Sequence, residues 1–254
     1  MNFRAHIFRP VVTILAFLAV WWAVTRFSGL PAFMLPSPGA VAAVLCSQRD
    51  YLFSNTLITL AEILLGLCFG TLLGAITALG VVYSLWLQRW LMPVLVLSQA
   101  IPVFALAPLL VLWLGFGMAS KIFMAVLVIF FPITASFADG LRRTDLGWLE
   151  LARTMNASPW AMLRHVRLMA GLPGFASGLR VATAIAPIGA IIGEWVGASA
   201  GLGYVMINAN ARIQTDLMFA ALLILAAMAI TLYVLVDHIL RRLLYWAPDT
   251  SGSE

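Results

Sequence analysis

Residues able to do chemistry are sparse in this chain of 254 residues, and none stands in a catalytic spacing. The one lysine, Lys121, lies between Ser120 and Ile122, so the G-x-x-x-x-G-K-[ST] loop that cradles nucleotide phosphates is absent. His6, His165 and His238 are far apart and no H-E-x-x-H occurs, so no metal site is expected. Gly197-Ala198-Ser199-Ala200-Gly201 fits G-x-S-x-G, but that motif needs a strand-to-helix elbow and a histidine close by. Cys46 and Cys68 suggest apolar packing, not a disulfide framework. What remains is a few carboxylates, Glu62 and Glu194 among them, set in long uncharged stretches. The chain is not expected to be an enzyme or to hydrolyse ATP by itself.

Those stretches define the elements. Apolar residues make up 63% of the chain and charged ones 10%, with a mean hydropathy of +1.02. Soluble domains run near about 45–50% and about 25%, so an ordinary globular enzyme is excluded, as is disorder. Uncharged intervals of 16, 26, 31, 17 and 20 residues follow Arg9, Glu62, Arg89, Lys121 and Asp216. A membrane helix needs roughly 17–25 apolar residues. A further span over Phe175–Val196 keeps Arg180 and Glu194 near its ends. The expectation is an all-α polytopic membrane protein, one transmembrane domain over 1–254, with six spans at about 10–27, 56–82, 91–114, 121–138, 175–196 and 217–237.

Orientation follows from Lys and Arg, which accumulate in cytoplasmic loops. With the N-terminus inside, 11 of the 15 basic residues fall inside and Arg26, Arg49, Lys121 and Arg212 outside. Both termini are then cytoplasmic, and Ser199 is on the opposite side from every histidine. The first span lacks a convincing A-x-A cleavage site after Val24 and reads as an uncleaved anchor. The net charge of +5 is accounted for by this asymmetry without nucleic acid.

Ser37-Pro38 reads as the cap and first turn of a short external helix. Gly66, Gly70, Gly74 and Ala78 form a small-residue ridge suited to close helix packing. Pro93, Pro102 and Pro108 in the third span and Pro187 in the fifth mark kinks that line a pathway or only shape packing. Glu62 lies inside its span, where a carboxylate must be paired or hydrated; by depth, Arg26 is the expected partner.

The loop from Gly140 to Leu172 holds five of the inside arginines. Asp145 can cap a helix over about 146–155, Asn156 can take the left-handed closing position, and Ser158-Pro159 can start a second helix through Leu168. Such a pair could lie on anionic lipid or be offered to the groove of a cytosolic partner.

Here the chain resembles the permease subunits of bacterial binding-protein-dependent ABC importers, in the nitrate, sulfonate and taurine branch. Glu150-Leu151-Ala152 stands where that family has Glu-Ala-Ala, Asn156 where it has glycine, and Leu172-Pro173-Gly174 closes the loop, although Met169 replaces a proline. Leu35-Pro36-Ser37-Pro38, Ile101 through Leu109, Gly115-Phe116-Gly117, Ser120-Lys121, Phe131-Pro132 and Gly201-Leu202-Gly203-Tyr204 also resemble the branch. Pro187-Ile188-Gly189 and Gln214-Thr215-Asp216-Leu217 look most like permeases for thiamine-precursor pyrimidines.

The resemblance implies a type I importer (MetI-like) permease fold in the bacterial inner membrane. It implies a second permease copy as a homodimer, two cytosolic subunits that bind ATP and magnesium, and an external solute-binding protein. The loop helix then looks like the coupling element, with Glu150, Ala152, Asn156, Ala157, Ser158, Trp160 and Arg164 meeting the ATPase. Ser98, Gln99, Pro102, Thr183, Pro187 and Glu194 are the expected translocation-path residues on the third and fifth spans. The solute is expected to be a thiamine-precursor pyrimidine, taurine, an alkanesulfonate or a similar small organic molecule. The competing class is a stand-alone secondary transporter or channel, which usually shows inverted repeats and midplane charges. No repeat is visible between the two halves.

Overall fold

The structure, a computed structural model, describes residues 3–247. The expected cytoplasmic placement of the chain ends falls on residues 1–2 and 248–254, outside the described residues. Among the described residues the regular elements are helices: α1 (Phe3–Phe27), α2 (Pro38–Ser47), α3 (Arg49–Tyr83), α4 (Leu85–Ala100), α5 (Val103–Leu114), α6 (Met118–Arg142), α7 (Leu146–Thr154), α8 (Pro159–Met162), α9 (Leu168–Gly197), α10 (Leu202–Ala211) and α11 (Thr215–Leu243). A π turn, Leu163–Arg167, joins α8 to α9.

The described residues group into two compact units, one of residues 3–58 with 200–226 and one of 59–199 with 227–247. In the first, Ser37 caps α2 by accepting from the Ala40 N–H, with Pro38 in the first turn. Trp21 donates its indole N–H to the Pro36 carbonyl at 3.1 Å and stacks on Phe219, which fastens α1 to the segment before α2 and to α11. Asn55 of α3 accepts the Gly201 N–H at 2.7 Å, just ahead of α10. Helix α10 closes with Gln214 N–H on the Ala209 carbonyl and Ile213 N–H on Asn210, the two bonds of a Schellman motif. The left-handed position falls on Ile213 (φ 59°), a β-branched residue for which that conformation is strained.

In the second unit α6 is the central helix. The ridge of α3 meets one face: a Cβ at Gly66 would stand 2.5 Å from Ala125 Cβ, and one at Gly74 2.9 Å from the Phe130 carbonyl. Small residues of α9 meet α6 as well: a Cβ at Gly189 would be 2.8 Å from Ala125 Cα, and one at Gly174 2.6 Å from the Ser136 carbonyl. Backbones thus approach where no side chain intervenes, which is how helices associate in lipid without a hydrophobic driving force between them. Ile63, Ala125, Ile129, Ile133, Ala182 and Ala186 fill the space between.

Among the described residues, four helices are long and apolar enough to cross a membrane: α3, α6, α8 continued through α9, and α11. Two expectations are corrected. The span over 91–114 is not one helix, because α4 and α5 are bent by 101° at Ile101-Pro102. Ile101 is extended (φ −85°, ψ 120°), as a residue before proline prefers to be. At about 1.5 Å per residue neither half alone reaches across roughly 30 Å of hydrocarbon. The second loop helix does not end at Leu168 but continues through the π turn into α9, so the span of 175–196 is the inner part of a helical run over Pro159–Gly197.

Candidate functional site

Three ionisable side chains meet inside the second unit. Glu62 projects from α3, Lys121 from the first turn of α6 and Glu194 from the last turn of α9, and all three are buried. Lys121 Nζ lies 3.6 Å from Glu62 Oε1. The Thr59 hydroxyl, one turn before Glu62, donates to Glu194 Oε1 at 2.5 Å, and the Glu194 carboxyl lies within interaction range of Glu62. Neither Glu62 oxygen accepts a hydrogen bond from the described residues, so Lys121 is its main compensation. Close approach of α6 and α9 makes the cluster possible: a Cβ at Gly193 would stand 3.0 Å from Lys121 Cα.

The expected Glu62–Arg26 pair is therefore corrected to Glu62–Lys121. Lys121 reads as an external residue when it only separates two apolar intervals. The available signal was the rule that an ionisable group within a span seeks an opposite charge, applied to the chain's single lysine. Glu194, expected on the translocation path, stands in this cluster.

The other path candidates divide. Ser98 and Gln99 sit at the end of α4 beside the break, with the Ser98 hydroxyl donating to the Leu95 carbonyl at 2.7 Å and Gln99 Nε2 donating to Ser98 Oγ. Pro102 is exposed and begins α5. Broken helices in membranes persist where freed backbone groups line a cavity or are buried in protein. Thr183 and Pro187 are buried in α9, and the Thr183 hydroxyl returns to the Leu179 carbonyl. The foot of α5 packs on α6 and α9 through Ala107, Leu110, Met124 and Ile192.

The loop between α6 and α9 forms a second constellation. Asp145 caps α7 by accepting the Gly147 N–H at 2.7 Å. The helix ends in a Schellman motif, with Ala157 N–H on the Ala152 carbonyl, Asn156 N–H on Arg153 and Asn156 left-handed at φ 55°. Ser158 then caps α8 by accepting the Ala161 N–H, with Pro159 in its first turn. Leu149 and Ala152 are buried, whereas Leu146, Trp148, Leu151 and Met155 are exposed together with Glu150, Trp160 and Arg164; Ala157 is half-buried. Helix α7 therefore presents an apolar face that the chain itself leaves uncovered. A cavity of about 680 Å³ opens beside it, lined by Trp148, Met155, His165, Met169 and Trp246.

Comparison with known proteins decides the class. Residues 70–245 match the family described as the binding-protein-dependent transport system inner membrane component. The chain belongs to this family. A probable ABC transporter permease protein of Haemophilus influenzae is 52% identical over 95% of this chain and 99% of its own length. The riboflavin transport system permease protein RibX of Chloroflexus aurantiacus is 38% identical over 92% and 88%, and the formylaminopyrimidine transport permease protein ThiX of Halalkalibacterium halodurans 36% over 93% and 95%. Among solved structures, the methionine ABC transporter MetNI in an inward-facing conformation aligns with a TM-score of 0.68 at 21% identity, covering 77% of this chain and 97% of that one. That likeness establishes the fold. The protein is an ABC importer permease subunit, a multi-pass inner-membrane protein with the expected MetI-like fold.

Proposed function

We propose that this permease conducts a small organic solute, foremost a pyrimidine or related nitrogen heterocycle, driven by ATP hydrolysis in cytosolic partner subunits. Support for the solute class comes from two permeases named for heterocyclic substrates, at 38% and 36% identity; relatives named for aliphatic sulfonates and taurine are at 30% and 27%. Taurine and alkanesulfonates are the second reading. A second permease copy, two ATP-binding subunits that hold ATP and magnesium, and an external solute-binding protein complete the transporter, with the chain termini on the cytoplasmic side.

The observation that carries the coupling role is the exposed face of α7, where Leu146, Trp148, Leu151 and Met155 stand uncovered beside Glu150. An amphipathic helix of this kind suits insertion into a groove of a partner. Movement of the partner is then passed through the helical run from α8 into α9 and so to the Glu62–Lys121–Glu194 cluster, as a rigid-body switch between two states. The test is purification of the tagged permease, followed by reconstitution with its ATPase and solute-binding protein. ATP-dependent uptake of a formylaminopyrimidine is expected; uptake that persists without ATP or ATPase subunit would favour a stand-alone carrier.

A further inference from the structure

Beside the last turn of α3 a crevice of about 370 Å³ opens against the loop elements. Tyr83, Arg153 and Arg167 line it, with Val82, Ala157 and Met162 between them. Among the described residues no aspartate or glutamate does. None of the ion pairs among the described residues involves Arg153 or Arg167. Arg167 Nε is buried with no hydrogen-bond partner among the described residues, and a buried charged donor left unpaired is costly, so the described part of the crevice lacks an acceptor. Arg167 closes the π turn, a local irregularity frequently found at functional sites. Two planar guanidinium forks beside a phenol suit a tetrahedral oxyanion such as phosphate.

Depth selects the source of that phosphate. The uncharged apolar stretch that follows Glu62 in α3 runs to the last residue of that helix, Tyr83, so the crevice lies at the end of a stretch long and apolar enough to cross a membrane. Tyr83 and Trp160 are both exposed and meet edge to face with ring centroids 6.3 Å apart; Trp86 and Trp90 are exposed in the helix that follows. Amphipathic aromatic rings of this kind gather at headgroup level. We propose that the Arg153–Arg167 crevice holds the phosphate of an anionic phospholipid headgroup. Free phosphate offers the same chemistry, and an acidic side chain of a partner protein is the other occupant to be tested against.

The full-length chain, purified in detergent, is incubated with phosphatidylglycerol, phosphatidylcholine or inorganic phosphate and examined by native mass spectrometry. Wild type is expected to retain phosphatidylglycerol where phosphatidylcholine is lost, and Arg153→Gln/Arg167→Gln to retain it roughly thirtyfold more weakly. Arg167→Lys, which keeps the charge and loses Nε, is expected to fall between them. Arg242→Gln on α11 should leave retention unchanged. If tryptophan fluorescence shows the double variant to be unfolded, Arg153→Gln and Arg167→Lys carry the comparison singly. Equal retention by wild type and these variants, or equal loss in Arg242→Gln, overturns the proposal. Saturable uptake of inorganic phosphate that displaces the lipid assigns the site to a free anion. Phosphatidylglycerol binding that emerges only after a co-purifying protein is stripped assigns it to a protein carboxylate. Either result overturns the lipid source.

Discussion

Lys121 Nζ stands 3.6 Å from Glu62 Oε1, with the lysine side chain 8% and the glutamate side chain 0% exposed. At this depth the pair does not add stability by Coulomb attraction alone, because both charges have lost their water. Its consequence is that neither residue can be removed singly. Lys121→Met is expected to destabilise the permease by about 3–5 kcal/mol, the cost of leaving a buried charge without its partner. Lys121→Met with Glu62→Gln should recover much of that loss. Thermal unfolding of the purified chain in detergent measures both; equal stability of Lys121→Met and wild type would contradict the pairing.

Close packing around α6 makes a graded prediction. Gly174→Ala drives a methyl towards the Ser136 carbonyl and Gly140 Cα, both backbone atoms, and should cost about 1–3 kcal/mol. Gly66→Ala meets the Ala125 side chain instead, so Ala125→Gly should rescue it. A Cβ at Gly39 meets nothing within 4 Å, and Gly39→Ala should leave the melting temperature unlowered.

Asn156 sits at φ 55° in the turn between α7 and α8. Asn156→Gly should keep stability and uptake, while Asn156→Val should cost about 1–2 kcal/mol and impair uptake by misplacing α7 against α8. Comparing uptake with the amount of folded protein in each membrane preparation checks the assignment.

Ile213 supplies the opposite case. Its φ of 59° is strained for a β-branched side chain, so Ile213→Gly should stabilise the permease by about 1 kcal/mol. An unchanged or lowered melting temperature would show that the exposed isoleucine side chain contributes a contact worth more than the strain.

Glu150 is exposed on the uncovered face of α7. Under the proposed function, Glu150→Arg should insert normally yet lose most ATP-driven uptake and weaken co-purification of the ATPase. Normal uptake by this variant would remove Glu150 from the coupling surface.

How far the site could be read depended on the range of the interactions. The Asp145 cap, the left-handed Asn156 and the Ser158-Pro159 start are fixed by contacts over a few residues, and each was legible. Pro102 was legible as a disturbance, but a proline specifies only that its neighbour leaves the helical region, so the 101° bend was not. Depth along the sequence points from Glu62 to Arg26, and the structure pairs it with Lys121, because depth cannot distinguish residues at similar level on different helices.

Composition, uncharged intervals and arginine placement by themselves determined that this is a polytopic helical membrane protein, since each span must satisfy its own backbone in lipid. They also set five arginines in the one segment between Gly140 and Leu172. Tertiary structure alone decided which small residues meet: the glycines of α3 and α9 both close on α6, and that approach brings Lys121 to Glu62, with Glu194 beside Glu62. A charge pair across helices depends on rotation and register between them, which a linear pattern does not carry and packing does.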